Sequence, residues 1–130
     1  MKEILTSFEK ALMRLEEALK QHPTSLERDA AIQRFESTFE LAWKSIQRFL
    51  RSEGISCRSP KGCFREAFRY GLIRDDPLWL RMIEDRNLTV HTYDEKIAEK
   101  VYNCLFDYLP LFKNLLLKLK AEEQKIWINR

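Results

Sequence analysis

Turn-forming residues are scarce in this chain. Three glycines and four prolines in 130 residues are too few for the frequent reversals of a turn-rich β protein. No charge sign dominates either: 23 Lys and Arg stand against 20 Asp and Glu, a net charge of +3. That balance permits an acidic partner without demanding one, so the distribution of charge has to decide. A membrane-length apolar run is missing as well, because the longest candidate, "LPLFKNLLLKLK", is interrupted by Lys113 and Lys118,. Gly54, Gly62 and Gly71 are isolated, which leaves no glycine-rich phosphate loop. No two aspartates are separated by a single residue, which argues against a metal-dependent nucleotidyltransferase within this chain. The three cysteines, Cys57, Cys63 and Cys104, lack zinc-type spacing. With no basic-then-apolar leader, they read as reduced thiols of a cytoplasmic protein that needs neither metal nor cofactor.

What the chain has in abundance is helical periodicity. Leu5, Phe8, Leu12, Leu15 and Leu19 alternate three- and four-residue steps, the stripe of an amphipathic helix. His22-Pro23 ends it, with His22 an ordinary loop residue, since proline disfavours helix in the residue before it. Thr24 and Glu27 form a capping box. The helix they open carries Ile32, Phe35, Phe39, Ala42, Trp43, Ile46, Phe49 and Leu50, an apolar arc wide enough for a central position, and Gly54 stops it. Glu40 and Lys44 along it read as a solvated pair. Ser59-Pro60 and Gly71 bracket a short third helix. Asp76-Pro77 opens a fourth, with Leu78, Trp79, Met82, Ile83 and Val90 apolar. Thr92 and Glu95 form a second capping box, which predicts a fifth helix from near Tyr93 through Ile97, Val101, Leu105, Tyr108, Phe112, Leu115 and Leu119, with Pro110 a place to bend. The expectation is one all-α domain over residues 1–130, an up-and-down bundle of about five helices with a four-helix core.

The polar chemistry concentrates in "RNLTVHTYDE", residues 86–95. The capping box places it at the corner between helices four and five. Asn87 lies one turn before His91 and can share its face, whereas Arg86, five residues back, cannot on a regular helix. The two converge if the helix frays, or if a symmetric dimer brings two corners together. Arginine, asparagine and histidine at a helix end also commonly do no more than cap the last carbonyls. A chemical use for the set is metal-independent RNA cleavage. A histidine near neutrality moves the proton of the 2′-OH or of the leaving 5′-oxygen, and an arginine stabilises the phosphate.

The stretch resembles the R-x4-H-x-Y signature of the HEPN superfamily. "RDAAIQRFESTFELAWKSIQRFL", "SPKGCFREAFRYGLI" and "YLPLFKNLLLKL" resemble its nucleotidyltransferase substrate-binding branch, and the likeness runs from about Arg28 to Lys118. The resemblance implies a small helical bundle, usually dimeric, encoded beside a minimal nucleotidyltransferase. In the ribonuclease toxins of the family the motif arginine and histidine are catalytic, and the partner silences them by attaching AMP to the motif tyrosine. Those roles fall on Arg86, His91 and Tyr93, with Asn87 supporting. A non-catalytic binding partner of the nucleotidyltransferase is the alternative, since the branch also includes proteins described as binding subunits.

Two further features stand outside the motif. Residues 57–74 hold five basic residues and one acid, Glu66. Lys61, Arg65 and Arg69 form a ridge four residues apart that suits RNA phosphates, unless Asp75, Asp76, Glu84 and Asp85 neutralise it. Phe64 and Phe68 beside it read as core. Trp79 and Trp127 read as spare apolar surface for a dimer, and Ile126, Trp127 and Ile128 extend past the end of the helical stripe.

Overall fold

The computed structural model describes residues 1–21 and 24–128. Five α-helices account for most of them: α1 (Lys2–Leu19), α2 (Ser25–Ser52), α3 (Pro60–Tyr70), α4 (Leu78–Leu88) and α5 (Glu95–Ile128), with a 3-10 turn over Thr89–His91 between the last two. No strand occurs among the described residues, so the all-α reading holds.

Local chemistry explains most of the boundaries. The Thr24 hydroxyl accepts from the Glu27 amide while the Glu27 carboxylate accepts from the Thr24 amide, the reciprocal capping box,. The Ser59 hydroxyl accepts from the Gly62 amide, and Pro60 follows in the first turn of α3, where a missing N–H costs nothing,. Gly71 closes α3 at φ 100°, a left-handed conformation that penalises any residue with a Cβ. Asp76 opens α4 by accepting from the Leu78 amide at 2.9 Å. The fifth helix departs from expectation. Thr92 donates back to the Thr89 carbonyl rather than capping forward. Asp94 is the residue that accepts from the amides of Lys96 and Ile97, so α5 starts at Glu95 and Tyr93 lies outside it. Asp94 is thus the N-cap actually used, two residues after the expected one, and it satisfies the second and third amides of the helix it opens,.

Helices α1, α2 and α5 pack on one another along their apolar faces, α3 packs on α2, and α4 lies against both α2 and α5. Phe8, Phe35, Phe39, Phe49, Tyr108 and Phe112 are fully buried, and burial of each such side chain contributes about 1.5–3 kcal/mol. Phe35 links the layers, stacked on Tyr108 with centroids 5.7 Å apart and packed against Phe112 at 6.4 Å. Pro110 sits inside α5, which continues through it.

Several expectations need correcting. Cys57 and Cys63 are joined as a disulfide, not reduced. The turn into α3 folds the loop back on the helix and brings their Cα atoms to 5.1 Å, within bonding reach, which a separation of six residues does not announce. Cys104 alone remains free. Trp79 is buried against Phe64 and Phe112 rather than offering spare surface. Phe68 is 47% exposed rather than core. His22-Pro23 and the side chains of Ile126, Trp127 and Ile128 fall outside the described residues. No described helix is long and apolar enough to cross a membrane.

Candidate active site at the corner of the fourth and fifth helices

The motif begins on the last turn of α4, whose inner side is fixed by a buried polar chain. Asp85 has no exposed surface. Tyr108 of α5 donates to its Oδ2 at 2.5 Å, and Arg81 Nε donates to the Tyr108 hydroxyl at 3.1 Å while its other arm reaches Asp107. Lys100 lies 3.6 Å from Asp85 Oδ1. Burial first, and then the hydrogen bond to Asp85, push the Tyr108 phenol well above its ordinary range, with Arg81 opposing. Burial, aided by the Asp85 charge, also raises the Cys104 thiol and keeps it protonated at neutral pH,. These groups lock α4 to α5 and leave little freedom to the residue that follows Asp85.

That residue is Arg86. Its guanidinium donates to Glu40 of α2 and lies 5.6 Å above the Phe39 ring. Glu40 also accepts from the Trp43 indole at 3.2 Å and sits 3.6 Å from Lys44. It therefore keeps the partly solvated i,i+4 pair with Lys44 that its spacing suggests and serves in addition as a shared acceptor across two helices. The Arg86 side chain keeps 40% of its surface. A guanidinium has five N–H donors, so donors remain for an anion arriving from solvent.

Beyond Leu88 the 3-10 turn redirects the chain. Thr89, nearly buried, donates to the Arg86 carbonyl at 2.7 Å, and the Asp94 amide donates to the His91 carbonyl at 3.0 Å. These contacts leave the side chains of Asn87, Val90, His91 and Tyr93 exposed. His91 Nδ1 is 3.4 Å from the Tyr93 hydroxyl, with the rings edge to face. Tyr93 is 83% exposed. Arg86 and His91 share no hydrogen bond, since Arg86 faces α2 and His91 faces Tyr93 on the outside of the corner. Arg28 at the start of α2 braces the corner from below through a two-armed contact with Glu95 at 2.9 and 3.2 Å. That contact holds Glu95 below the usual carboxylate range.

Of the residues expected here, His91 and Tyr93 are brought together, Arg86 is held nearby by a different helix, and Asn87 makes no side-chain hydrogen bond among the described residues. Glu40, Phe39, Thr89 and Asp94 escaped sequence reasoning. A carboxylate at the edge of an otherwise apolar arc on α2 is the one signal that marks Glu40. A surface cleft lined by Leu72, Trp79, Leu115 and Lys118 lies elsewhere, whereas the motif side chains of Asn87, His91 and Tyr93 stand open to solvent. No cluster of three or more potential metal ligands occurs among the described residues.

Residues 3–121 match the family described as nucleotidyltransferase substrate binding protein like. The chain belongs to that family. It is 37% identical over 99 residues to a Haemophilus influenzae protein named "Probable ribonuclease HepT", covering 72% of this chain and 68% of that protein. A crystal structure from Thermus thermophilus superposes with a TM-score of 0.82 at 48% identity, covering 86% of this chain and 98% of the other. A second solved structure, from Haemophilus influenzae, is described as the fold of a substrate-binding domain of a nucleotidyltransferase. It gives a TM-score of 0.78 at 31% identity, over 89% of this chain and 98% of that one.

Proposed function

We propose that this chain is the HEPN-type subunit of a two-gene module with a minimal nucleotidyltransferase, and that it is a metal-independent endoribonuclease toxin. The observation that carries the reading is the exposed His91 beside Tyr93, with a partly exposed Arg86 that has donors to spare. A base takes the proton of a ribose 2′-OH, and that oxygen attacks the adjacent phosphorus. The P–O5′ bond breaks, an acid protonates the leaving oxygen, and a 2′,3′-cyclic phosphate remains. Arg86 stabilises the charge that builds on the phosphoryl oxygens. Asn87, exposed one turn before His91, supports substrate placement.

One histidine serves poorly as both base and acid, and Arg86 and His91 face different ways in one chain. A symmetric dimer with α4 at its axis supplies the second copy of each. A monomer in sedimentation at micromolar concentration overturns that part of the reading. For cleavage, the purified protein is incubated with RNA in EDTA. Cyclic-phosphate or 3′-phosphate ends are expected, with Arg86→Ala and His91→Ala each about 10²–10³-fold slower. Efficient cutting by either variant, or strict dependence on added Mg²⁺, moves the reading to its alternative, a non-catalytic partner that presents substrate to the nucleotidyltransferase. The description of the second solved structure favours that alternative.

The Tyr93 hydroxyl is the AMP acceptor in this reading. Its oxygen attacks the α-phosphorus of ATP on the partner enzyme, pyrophosphate leaves, and the phenol proton passes to a base. The new phosphodiester oxygen is the one that lies 3.4 Å from His91 Nδ1, so the adenylate covers the catalytic imidazole. Tyr93→Phe should keep cleavage and escape silencing. Mass spectrometry after incubation with the nucleotidyltransferase, ATP and Mg²⁺ checks this, and an AMP-sized increment on another residue overturns it.

A further inference from the structure

Residues 57–74 carry Arg58, Lys61, Arg65, Arg69 and Arg74, all exposed. Four of these five cations form no ion pair among the described residues, and only Arg69 meets an acid, Glu66, at 3.0 Å. The acids that could neutralise them are otherwise engaged or unpaired with them. Asp76 caps α4 and Asp85 is buried against Tyr108, while Asp75 and Glu84 make no ion pair among the described residues. Between α5 and α1, by contrast, Lys113 and Lys120 are matched by Glu16 and Glu9. Five exposed cations within 18 residues, against a single acid that pairs with one of them, make this a locally positive surface able to attract an anion,.

An aromatic ring lies among them. Phe64 points into the core, but Phe68, one turn later and flanked by Arg65 and Arg69, keeps 47% of its surface in solvent. The Cys57–Cys63 disulfide fixes the loop that carries Arg58 against the helix that carries Lys61, so the cations are positioned before any ligand arrives. The buried face of the same helix reaches toward the motif. Phe64 meets Phe39 edge to face at 6.0 Å, and Phe39 lies under Arg86 at 5.6 Å, so a single ring separates α3 from the guanidinium.

We propose that the outer face of α3 is the docking surface for single-stranded RNA, with Arg58, Lys61, Arg65 and Arg69 contacting phosphates and Phe68 stacking on a base. The proposal rests on the ribonuclease reading above. An acidic protein would match the cations and leave the ring without a use. A nucleic acid strand offers phosphates and bases in alternation, and so uses both.

The test measures anisotropy of a short labelled single-stranded RNA of mixed sequence with the His91→Ala protein, which holds RNA without cutting it. Adding Lys61→Glu and Arg65→Glu should weaken binding at least about tenfold and flatten the log–log salt dependence by roughly 1.4, the counterions of two phosphates. Adding Phe68→Ala instead should weaken binding about tenfold with the salt slope unchanged. Lys10→Glu on α1 should change neither. If RNA binds and the α3 variants bind it as well as their parent, this proposal falls while the ribonuclease reading stands. If the parent binds no RNA, both fall. Variants that lose capture of the nucleotidyltransferase while keeping RNA affinity assign the surface to the protein partner and also overturn the proposal.

Discussion

Asp85 and Arg86 are neighbours in sequence and opposites in surroundings. The inner side of this segment, Met82, Asp85 and Thr89, is buried, and Asp85 is held in a hydrogen-bonded chain through Tyr108 to Arg81. The outer side, Asn87, Val90, His91 and Tyr93, is open to solvent, and the proposed chemistry is assigned there. One short stretch thus has two sides: the inner groups fix where the backbone lies, and the outer groups leave hydrogen-bonding capacity open to solvent. The comparison implies that damage to the inner side reads out as stability, and damage to the outer side as activity alone.

The largest expected effect is on the packing that supports the inner side. Phe35 is fully buried and stacked on Tyr108. Phe35→Ala should cost about 3–5 kcal/mol and lower Tm by roughly 10–20 °C, as followed by circular dichroism. His91→Ala and Tyr93→Phe should leave Tm where it is. A His91 variant as destabilised as Phe35→Ala would erase the division between the two sides.

A smaller effect sharpens it. Tyr108→Phe removes the donor to a buried carboxylate and leaves both Asp85 oxygens without a hydrogen bond, since Oδ1 has none already. The loss should be about 1–3 kcal/mol. Adding Asp85→Asn removes the carboxylate that has lost its donor, so the double variant should lose less than the sum of the two single losses. Strict additivity in denaturant melts would mean that the pair is not coupled.

The sides also differ in how far sequence could reach them. Helices were legible because their signals are local. The Thr24–Glu27 box, Ser59-Pro60, Gly71 and the apolar stripes of α1 and α2 each act within a few residues. The motif was legible as a string for the same reason. What stayed hidden depends on contacts between distant residues. Glu40 reaches Arg86 across 46 positions, Asp85 looks like a surface acid until Tyr108 is placed beside it, and the disulfide needs the turn at Ser59-Pro60 to close. The start of α5 departs from expectation for a local reason: Thr92 and Asp94 are alternative N-caps two residues apart, and the spacing of a capping box does not say which is used.

The smallest expected effect is at the outer edge, where Arg28 holds Glu95 beside the motif corner. The hydrogen bonds and charge of Arg28 lower the Glu95 pKa below its ordinary 4.5, so the folded state binds this proton less readily than the unfolded chain. The pair's contribution is therefore fully present above the unfolded value and is lost as pH falls through the lower folded one. Glu16 beside Lys113 is shifted the same way and adds to the decline, but it lies on α1 and is unaffected by a change at Glu95. Comparing Tm of the wild type and Glu95→Gln between neutral pH and about pH 3 separates the two. A modest gap should be seen at neutral pH, because the pair is exposed and screened, and it should close on acidification. Added salt at neutral pH should shrink the same gap. A gap that persists undiminished in acid would show that Glu95 acts by packing rather than by charge. The brace under the motif corner would then belong with the inner side of the segment instead of the outer.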